Sequence, residues 1–483
     1  SVQRAAATVG GPDRRPAGRR LRSRWRRSFQ VHLTELRGRR IAVWGTGREG
    51  VAAVNAIAPV GPADLVTVMD RQTHAAKPWT GRLAELAPLR TGEAALDALL
   101  AADVVVRSPA IAETHPWIRQ LRARGIPITS GTALWMADHA PATIAVTGSK
   151  GKSTTTTLIS HLLASVDRPN VIGGNIGVPV LDLPPADQYV LELSMYQCAD
   201  LTDSPRVAVL TSLVPEHLDW AGDEAAYYRH KLNLVGHDPR QVVFNAHDER
   251  LRTELAARPG LSLFPASEPE TFHIAPGPDG TPWVHLADQP LFPRARLPLL
   301  GRHNGWNLCA ALGALHVVGV DCVAERERLA EAASSVPMLE HRLTPIPDPS
   351  GLTFVDDSLS TIPQSAIHAM EAYADRPLTV ILGGEDRGVD YRPLRDFLAG
   401  GEIVATLIGI PDSGPRILDT VRDLPTITAL EAEDLTEAVR LSRVHTPAGG
   451  VVLLSPAAPS YGRFDNYAHR SRVFREAIEQ TAP

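Results

Sequence analysis

Short apolar runs recur along most of the chain, each ending in a glycine-rich or polar turn and followed by a stretch with helical spacing of apolar residues. That alternation predicts α/β domains built on parallel sheets. Arg40-Ile-Ala-Val-Trp44 reads as a buried strand that turns through Gly45, Gly47 and Gly50 into the helix Val51–Ile57, and Leu65–Met69 as a second strand ending at Asp70. Strands at Val104–Val106 and Ile126–Ile128 continue the pattern to Trp135, and Ala137–Ala142 reads as a linker. A second series runs through Thr143–Val146, Tyr189–Leu193, Val207–Leu210 and Val242–Phe244, and closes with a helix around Asn304–Val318. A third comprises Thr353–Val355, Leu378–Leu382, Val404–Ile408 and Gly450–Leu454. The expected organisation is therefore three α/β domains: a Rossmann-like domain at 37–138, a central P-loop domain at 139–336 and a Rossmann-like domain at 337–483.

Composition narrows the class without changing this picture. With 44% hydrophobic and 21% charged residues among 483, the chain is that of an ordinary soluble globular protein, and no apolar run is long enough to span a bilayer. The balance of 49 basic to 54 acidic residues, net -5, argues against a nucleic-acid or membrane partner. Three cysteines without a Cys-x-x-Cys pair exclude a disulfide framework, so a reducing cytoplasm is the expected compartment. The first 40 residues hold twelve arginines and two acids but no apolar signal core, and 1–36 reads as a basic, disordered extension with no catalytic role. Only four basic residues are lysines: Lys77, Lys150, Lys152 and Lys231. Where a solvated cation suffices this chain uses arginine, so each lysine invites a chemical question.

Gly45, Gly47 and Gly50, opening a helix after a strand and followed by Asp70, form a nucleotide-binding fingerprint in which backbone N–H groups approach a phosphate. A purely structural tight turn is the alternative. Gly148-Ser149-Lys150-Gly151-Lys152-Ser153-Thr154 follows a strand and opens a helix, the context of a P-loop, although Val146 stands where the common form has its first glycine. There Lys152 would neutralise the β- and γ-phosphates of ATP and the Ser153 hydroxyl suits Mg²⁺. A compact ammonium fits among phosphates where a guanidinium does not. Glu192, at the end of a strand beside this loop, is placed to hold a hard cation or its water; a helix-capping acid is the plain alternative. Lys231, in Tyr227-Tyr-Arg-His-Lys231, is either a solvated helix residue or an amine that loses its proton when buried, and Lys77 reads as an ordinary surface residue.

Taken in order, Thr147–Thr154, Gly174-Asn175-Ile-Gly177, Glu192-Leu-Ser194-x-x-Gln197, Glu216-His217-x-Asp219, Tyr227-x-x-x-Lys231, Gly301-x-His-Asn304-x-x-Asn307 and Glu340-His341-Arg342 resemble the motifs of the Mur ligases of peptidoglycan synthesis. The resemblance covers the chain from about residue 40 to its end. Lys150 before Gly151-Lys152, the strand end Leu454-Ser-Pro-Ala457 and the nucleotide-type first domain are most similar to the members that add glutamate to UDP-N-acetylmuramoyl-L-alanine. The resemblance implies ATP and Mg²⁺ as cofactors, with Gly148, Ser149, Lys150, Gly151, Lys152, Ser153, Thr154, Asn307, Arg342 and Asp357 at ATP. It places Gly45, Gly47, Arg48, Glu49, Asp70, Arg71, Ser108, Asn175, Ser194 and Gln197 along the UDP-substrate. Lys152, His217, Lys231 and Arg342 become catalytic, and Ser153, Glu192, His217 and Lys231 the metal ligands, the last as a CO₂-derived carbamate. Thr361, Arg387, Ser460 and Tyr467 would hold glutamate. A monomer working on two small-molecule substrates is expected.

One segment departs from the family. Members that add D-glutamate carry Asp-Ser-Lys-Ala-Thr-Asn at the start of the third domain, whereas this chain has Asp357-Ser-Leu359-Ser-Thr361-Ile-Pro363. Coding bias would have replaced lysine by arginine, not leucine. A changed wall on a pocket that still offers Arg387, Ser460 and Tyr467 points to a changed stereochemistry, and the variant resembles the subgroup that adds L-glutamate, whose product a separate epimerase then inverts; D-glutamate is the alternative. A nicotinamide-dependent oxidoreductase would leave the P-loop unexplained. A non-catalytic nucleotide-binding regulator would bind ATP without substrate-dependent ADP formation. Folylpolyglutamate-type ligases usually begin with the P-loop, so the domain before Thr143 speaks against them.

Overall fold

The computed structural model describes residues 30–70, 79–216, 218–337, 340–460 and 462–482. They carry three large sheets in two compact units, one running to His139 and including Asp200–Asp203, the other made of Ala140–Ala199 and Ser204 onward. The expected N-terminal extension, Arg71, Lys77 and His217 lie outside the described residues.

In the first unit β1 (Arg40–Trp44), β2 (Asp64–Met69), β3 (Leu89–Thr91), β4 (Val104–Arg107) and β5 (Ile128–Thr129) form a parallel sheet in the order β3-β2-β1-β4-β5. The order reverses at β1, and in open α/β sheets ligands bind at the carboxyl edge of such a switch point. Two expectations are corrected. The strand placed at Ile126–Ile128 is only the two-residue β5, because the Ile126 N–H donates to the Leu121 carbonyl at 3.0 Å and finishes the preceding helix. The expected linker Ala137–Ala142 is helical: Gly131–His139 is an α-helix and Ala140–Ala142 a 3-10 turn. His139 stacks on Trp135 at 4.3 Å, an i, i+4 pair that stabilises the last turn.

In the second unit β6 (Thr143–Thr147), β7 (Val171–Gly174), β8 (Tyr189–Glu192), β9 (Val207–Leu210), β10 (Gln241–Asn245) and β11 (Leu263–Ala266) are all parallel, in the order β11-β10-β9-β6-β8-β7. β6 is buried throughout, and the helix Lys152–Ser165 packs on the helix Arg302–Val317 through Leu158, Ile159, Leu162, Leu308, Leu312 and Leu315, all at 0% exposure. Each such side chain contributes roughly 1.5–3 kcal/mol by leaving water, so the loop between β6 and its helix stands on a rigid base. A small antiparallel sheet, β12 (Phe272–Pro276), β13 (Pro282–Leu286) and β14 (Gln289–Pro293), was not foreseen in the sequence.

The last sheet runs β15-β16-β20-β17-β18-β19, with β15 (Thr344–Pro347), β16 (Thr353–Asp356), β17 (Leu378–Leu382), β18 (Ala405–Gly409), β19 (Ile427–Glu431) and β20 (Val451–Leu454). Only β15 is antiparallel to its neighbour. The carboxyl ends of β16, β20 and β17 are therefore side by side. At the opposite end Arg443 grips Asp348 with two bonds, 3.0 and 2.7 Å, the carboxylate being 1% exposed. The Arg443 guanidinium, helped by Ser350, holds the Asp348 carboxyl well below the usual carboxylate range. A pKa lowered by folding adds stability above the unfolded value of about 3.9, and that stability is lost as pH falls through and below it. Arg443→Met should cost about 3 kcal/mol at pH 7 by stranding a buried carboxylate. Urea unfolding at neutral and acid pH checks this: the variant's deficit should shrink toward acid as Asp348 takes up its proton.

Candidate active site

At the carboxyl edge of the first sheet, the Ser108 N–H donates to the Trp44 carbonyl at 2.9 Å and so closes the end of β4 onto the end of β1. Gly47 precedes the helix Arg48–Ile57, whose first N–H groups lack partners within the helix. A Cβ on Gly50 would overlap the Gly45 carbonyl, so the tight turn requires glycine there. Asp70 follows β2 directly, 4.0 Å from the His115 ring. Gly45, Gly47, Arg48, Glu49, Asp70 and Ser108 thus gather at one switch point.

The second glycine-rich turn joins β6 to the helix Lys152–Ser165. Gly151 has φ +86, and a Cβ on it would meet the Asn307 Oδ1 at 2.5 Å, so glycine is required for conformation and for space. Gly148-Ser-Lys-Gly151 is braced from below: the Ser149 N–H donates to the Ser212 carbonyl at 2.9 Å, and the Ser149 hydroxyl donates to the Val214 carbonyl at 2.6 Å. The Tyr227 hydroxyl lies 2.7 Å from the same Ser149 oxygen. The helix opens at Lys152, which puts Lys152, Ser153 and Thr154 in its first turn. Lys152 Nζ donates to the Gly148 and Ser149 carbonyls, each at 2.9 Å. Burial lowers its pKa while the carboxylates of Glu192 and Glu216 oppose that shift.

Glu192 ends β8 beside this turn and is 1% exposed. One carboxylate oxygen accepts from Asn175 Nδ2 at 2.6 Å, and the other is buried with no hydrogen-bond partner. A buried carboxylate oxygen left in that state costs free energy unless a cation or its water reaches it, so Glu192 fits a divalent cation. Lys231, in the last turn of the helix Glu224–Lys231, is 2% exposed and donates to the Gly148 carbonyl at 2.8 Å. It is no solvated helix residue. Burial, then the nearby Lys152 ammonium, lower its pKa to about 7. Among the described residues no group of three or more His, Cys, Asp or Glu side chains could hold a metal ion; the expected ligand set also uses a hydroxyl and a modified lysine. Ser194 caps a short helix, its hydroxyl accepting from the Gln197 N–H at 3.3 Å, while Gln197 Oε1 accepts from the Ser194 N–H at 3.0 Å.

Arg342, just before β15, lines one cavity with Lys150, Gly151, Thr154, Asn307, Asp357, His303 and His368. His341 (φ +63) and Leu343 (φ +46) flank it in the left-handed region, an uncommon conformation for such residues that marks functional segments. Asp357 is 7% exposed, accepts from the Ser455 hydroxyl at 2.7 Å, and is pushed up to about 7 by burial against the pull of that bond and of Arg342. Thr361 follows β16, Ser460 follows β20, and Arg387 follows β17, where its guanidinium pairs with Glu385 at 2.7 Å. The Glu385 N–H donates to the Pro459 carbonyl at 2.9 Å, tying two of these loops together. Tyr467 is 43% exposed with its ring 5.6 Å from His341.

Sequence reasoning missed Arg470. It is 0% exposed, and its guanidinium donates to the Ser358 carbonyl at 2.7 Å, the Ser358 hydroxyl at 3.1 Å and the Ala458 carbonyl at 3.1 Å, joining the loops after β16 and β20. Its spacing with Phe474, Ala477 and Ile478 on the buried face of the last helix was the available signal.

A P-loop module whose cavity also takes an arginine and an acid from a following α/β module is the arrangement of an ATP-dependent ligase. The chain belongs to the Mur ligase family: residues 146–315 match the Mur ligase middle domain and 39–130 the MurD-like N-terminal domain. It is 63% identical over 452 residues to the UDP-N-acetylmuramoyl-L-alanine--L-glutamate ligase of a Micromonospora species, covering 94% of this chain and 99% of that one. It is 37% identical to the protein of the same name from Xanthomonas campestris, covering 92% and 96%. Among solved structures, UDP-N-acetylmuramate-alanine ligase MurC from Thermotoga maritima shares the fold, with TM-score 0.56 at 21% identity over 92% of this chain and 100% of that one. Among the described residues no helix is long and apolar enough to cross a membrane.

Proposed function

We propose that this ATP-dependent ligase joins L-glutamate to UDP-N-acetylmuramoyl-L-alanine, releasing ADP and phosphate. The observation that supports the reading best is the convergence of Lys150, Asn307, Arg342 and Asp357 on one cavity at the carboxyl end of β16. Relatives named for L-glutamate, and the uncharged segment Ser358-Leu359-Ser360-Thr361, support the enantiomer.

In this mechanism the alanyl carboxylate attacks the γ-phosphorus, ADP leaves, and an acyl phosphate forms; the glutamate amine then adds to its carbonyl and phosphate departs with the electron pair of the broken C–O bond. Lys152 and the N–H groups of the cradle neutralise charge on the transferring phosphoryl group, Asn307 reads adenine, and Arg342 and Asp357 orient the nucleotide. Ser153, Glu192, His217 and Lys231 as its carbamate would hold Mg²⁺, which supplies further charge neutralisation when bound. Gly45, Gly47, Asp70, Arg71 and Ser108 hold the UDP end, with Asn175, Ser194 and Gln197 along the path of the alanyl end. Arg387, Ser460, Tyr467 and Thr361 receive glutamate. Substrate labelled with ¹⁸O in the alanyl carboxylate tests the route: one labelled oxygen should appear in the released phosphate, and unlabelled phosphate would exclude the acyl phosphate.

A further inference from the structure

The two lysines of the phosphate cradle point in different directions. Lys152 turns back onto its own loop, whereas the Lys150 backbone is clamped, its N–H donating to the Ser212 hydroxyl at 2.8 Å and its carbonyl accepting from the Thr211 hydroxyl at 2.5 Å. Lys150 Nζ lies 2.7 Å from Glu216 Oε1 and donates to the Thr361 hydroxyl at 3.1 Å. Lysine and glutamate are 19% and 9% exposed, so water screens this pair weakly. The contact joins the central module to the loop after β16, and that loop, Asp357–Pro363, contains no cationic side chain.

Resting on the reading of glutamate as the incoming substrate, we propose that Lys150 is a positioning and specificity residue for the amino acid. It fixes Thr361 and cancels the charge of Glu216, so that a dicarboxylate can enter beside a loop without a cation of its own. Without Lys150 the Glu216 carboxylate, which also faces the Lys152 and Lys231 ammonium groups, would repel the incoming carboxylates more strongly, and Thr361 would lose this bond. The phosphate cradle, made of backbone N–H groups and Lys152, would keep its parts. The role is therefore additional to the place of Lys150 at the nucleotide cavity.

Steady-state kinetics of the full chain with Lys150→Gln, Glu216→Gln and the double variant test this. Lys150→Gln should raise the glutamate KM on the order of tenfold or more and by a clearly larger factor than the ATP KM. In the Glu216→Gln background the same substitution should cost much less, because the charge it cancels is gone; a merely structural lysine would cost the same in both backgrounds. An unchanged glutamate KM, an ATP KM that rises in step, or equal penalties in both backgrounds would overturn the assignment. Failure of the wild-type enzyme to form product with either enantiomer of glutamate would instead refute the underlying reading of the reaction.

Discussion

Lys152→Met should lower kcat about 10³-fold or more while ADP still binds and the fold persists. Lys152 begins the helix Lys152–Ser165, and methionine is a good helix former, so the substitution removes charge with little change in backbone preference. The ammonium is held by the Gly148 and Ser149 carbonyls of the glycine-rich turn, and under the proposed function that turn receives the phosphates, so the charge would stand where negative charge moves during phosphoryl transfer. Lys152→Arg should fail as well, since a planar guanidinium cannot replace a compact ammonium that meets the Gly148 and Ser149 carbonyls at 2.9 Å each. Phosphate release at saturating substrates, beside equilibrium binding of ADP, checks both variants. A Lys152→Met enzyme within tenfold of wild type would remove Lys152 from the transition state.

Lys231→Arg has the second largest expected effect, a loss on the order of 10²-fold or more. Elsewhere arginine is this chain's usual cation, with 49 basic residues and only four lysines. Position 231 nonetheless holds a lysine, 2% exposed and 2.8 Å from the Gly148 carbonyl. As a free amine, lysine attacks the carbon of CO₂, releases one proton and becomes an N-carboxylate able to ligate a cation; a guanidinium stays charged and does not. Wild-type enzyme equilibrated with ¹³C-bicarbonate should show a carbamate resonance that Lys231→Arg lacks. Full activity in the arginine variant, or no resonance in the wild type, would contradict the modification.

Much of the candidate site was legible because its chemistry is local in sequence. The cradle at Gly148–Thr154 and the turn at Gly45–Gly50 announce themselves through glycines that close approach demands, and the lysine count singled out Lys150, Lys152 and Lys231. What was not legible depends on residues distant along the chain. Nothing local says that Lys150 reaches Thr361 or that Arg470 bonds to Ser358 across 112 positions. The left-handed residues on either side of Arg342 give no signal, since neither is glycine. Ala137–Ala142, read as a linker, is helical up to His139, whose stacking on Trp135 stabilises the last turn. Prolines at strand ends such as Pro276, Pro282 and Pro293 hid the antiparallel sheet, being tolerated only where a ladder bond is not needed. The departure at Leu359 was readable as a residue, but its consequence for the substrate is a question of pocket shape.

That consequence is the central claim, and one assay addresses it most directly. Enzyme with ATP, Mg²⁺ and UDP-N-acetylmuramoyl-L-alanine is supplied separately with L- and D-glutamate, and kcat/KM is measured from phosphate release. The account predicts the higher kcat/KM with L-glutamate; a higher value with D-glutamate would contradict it.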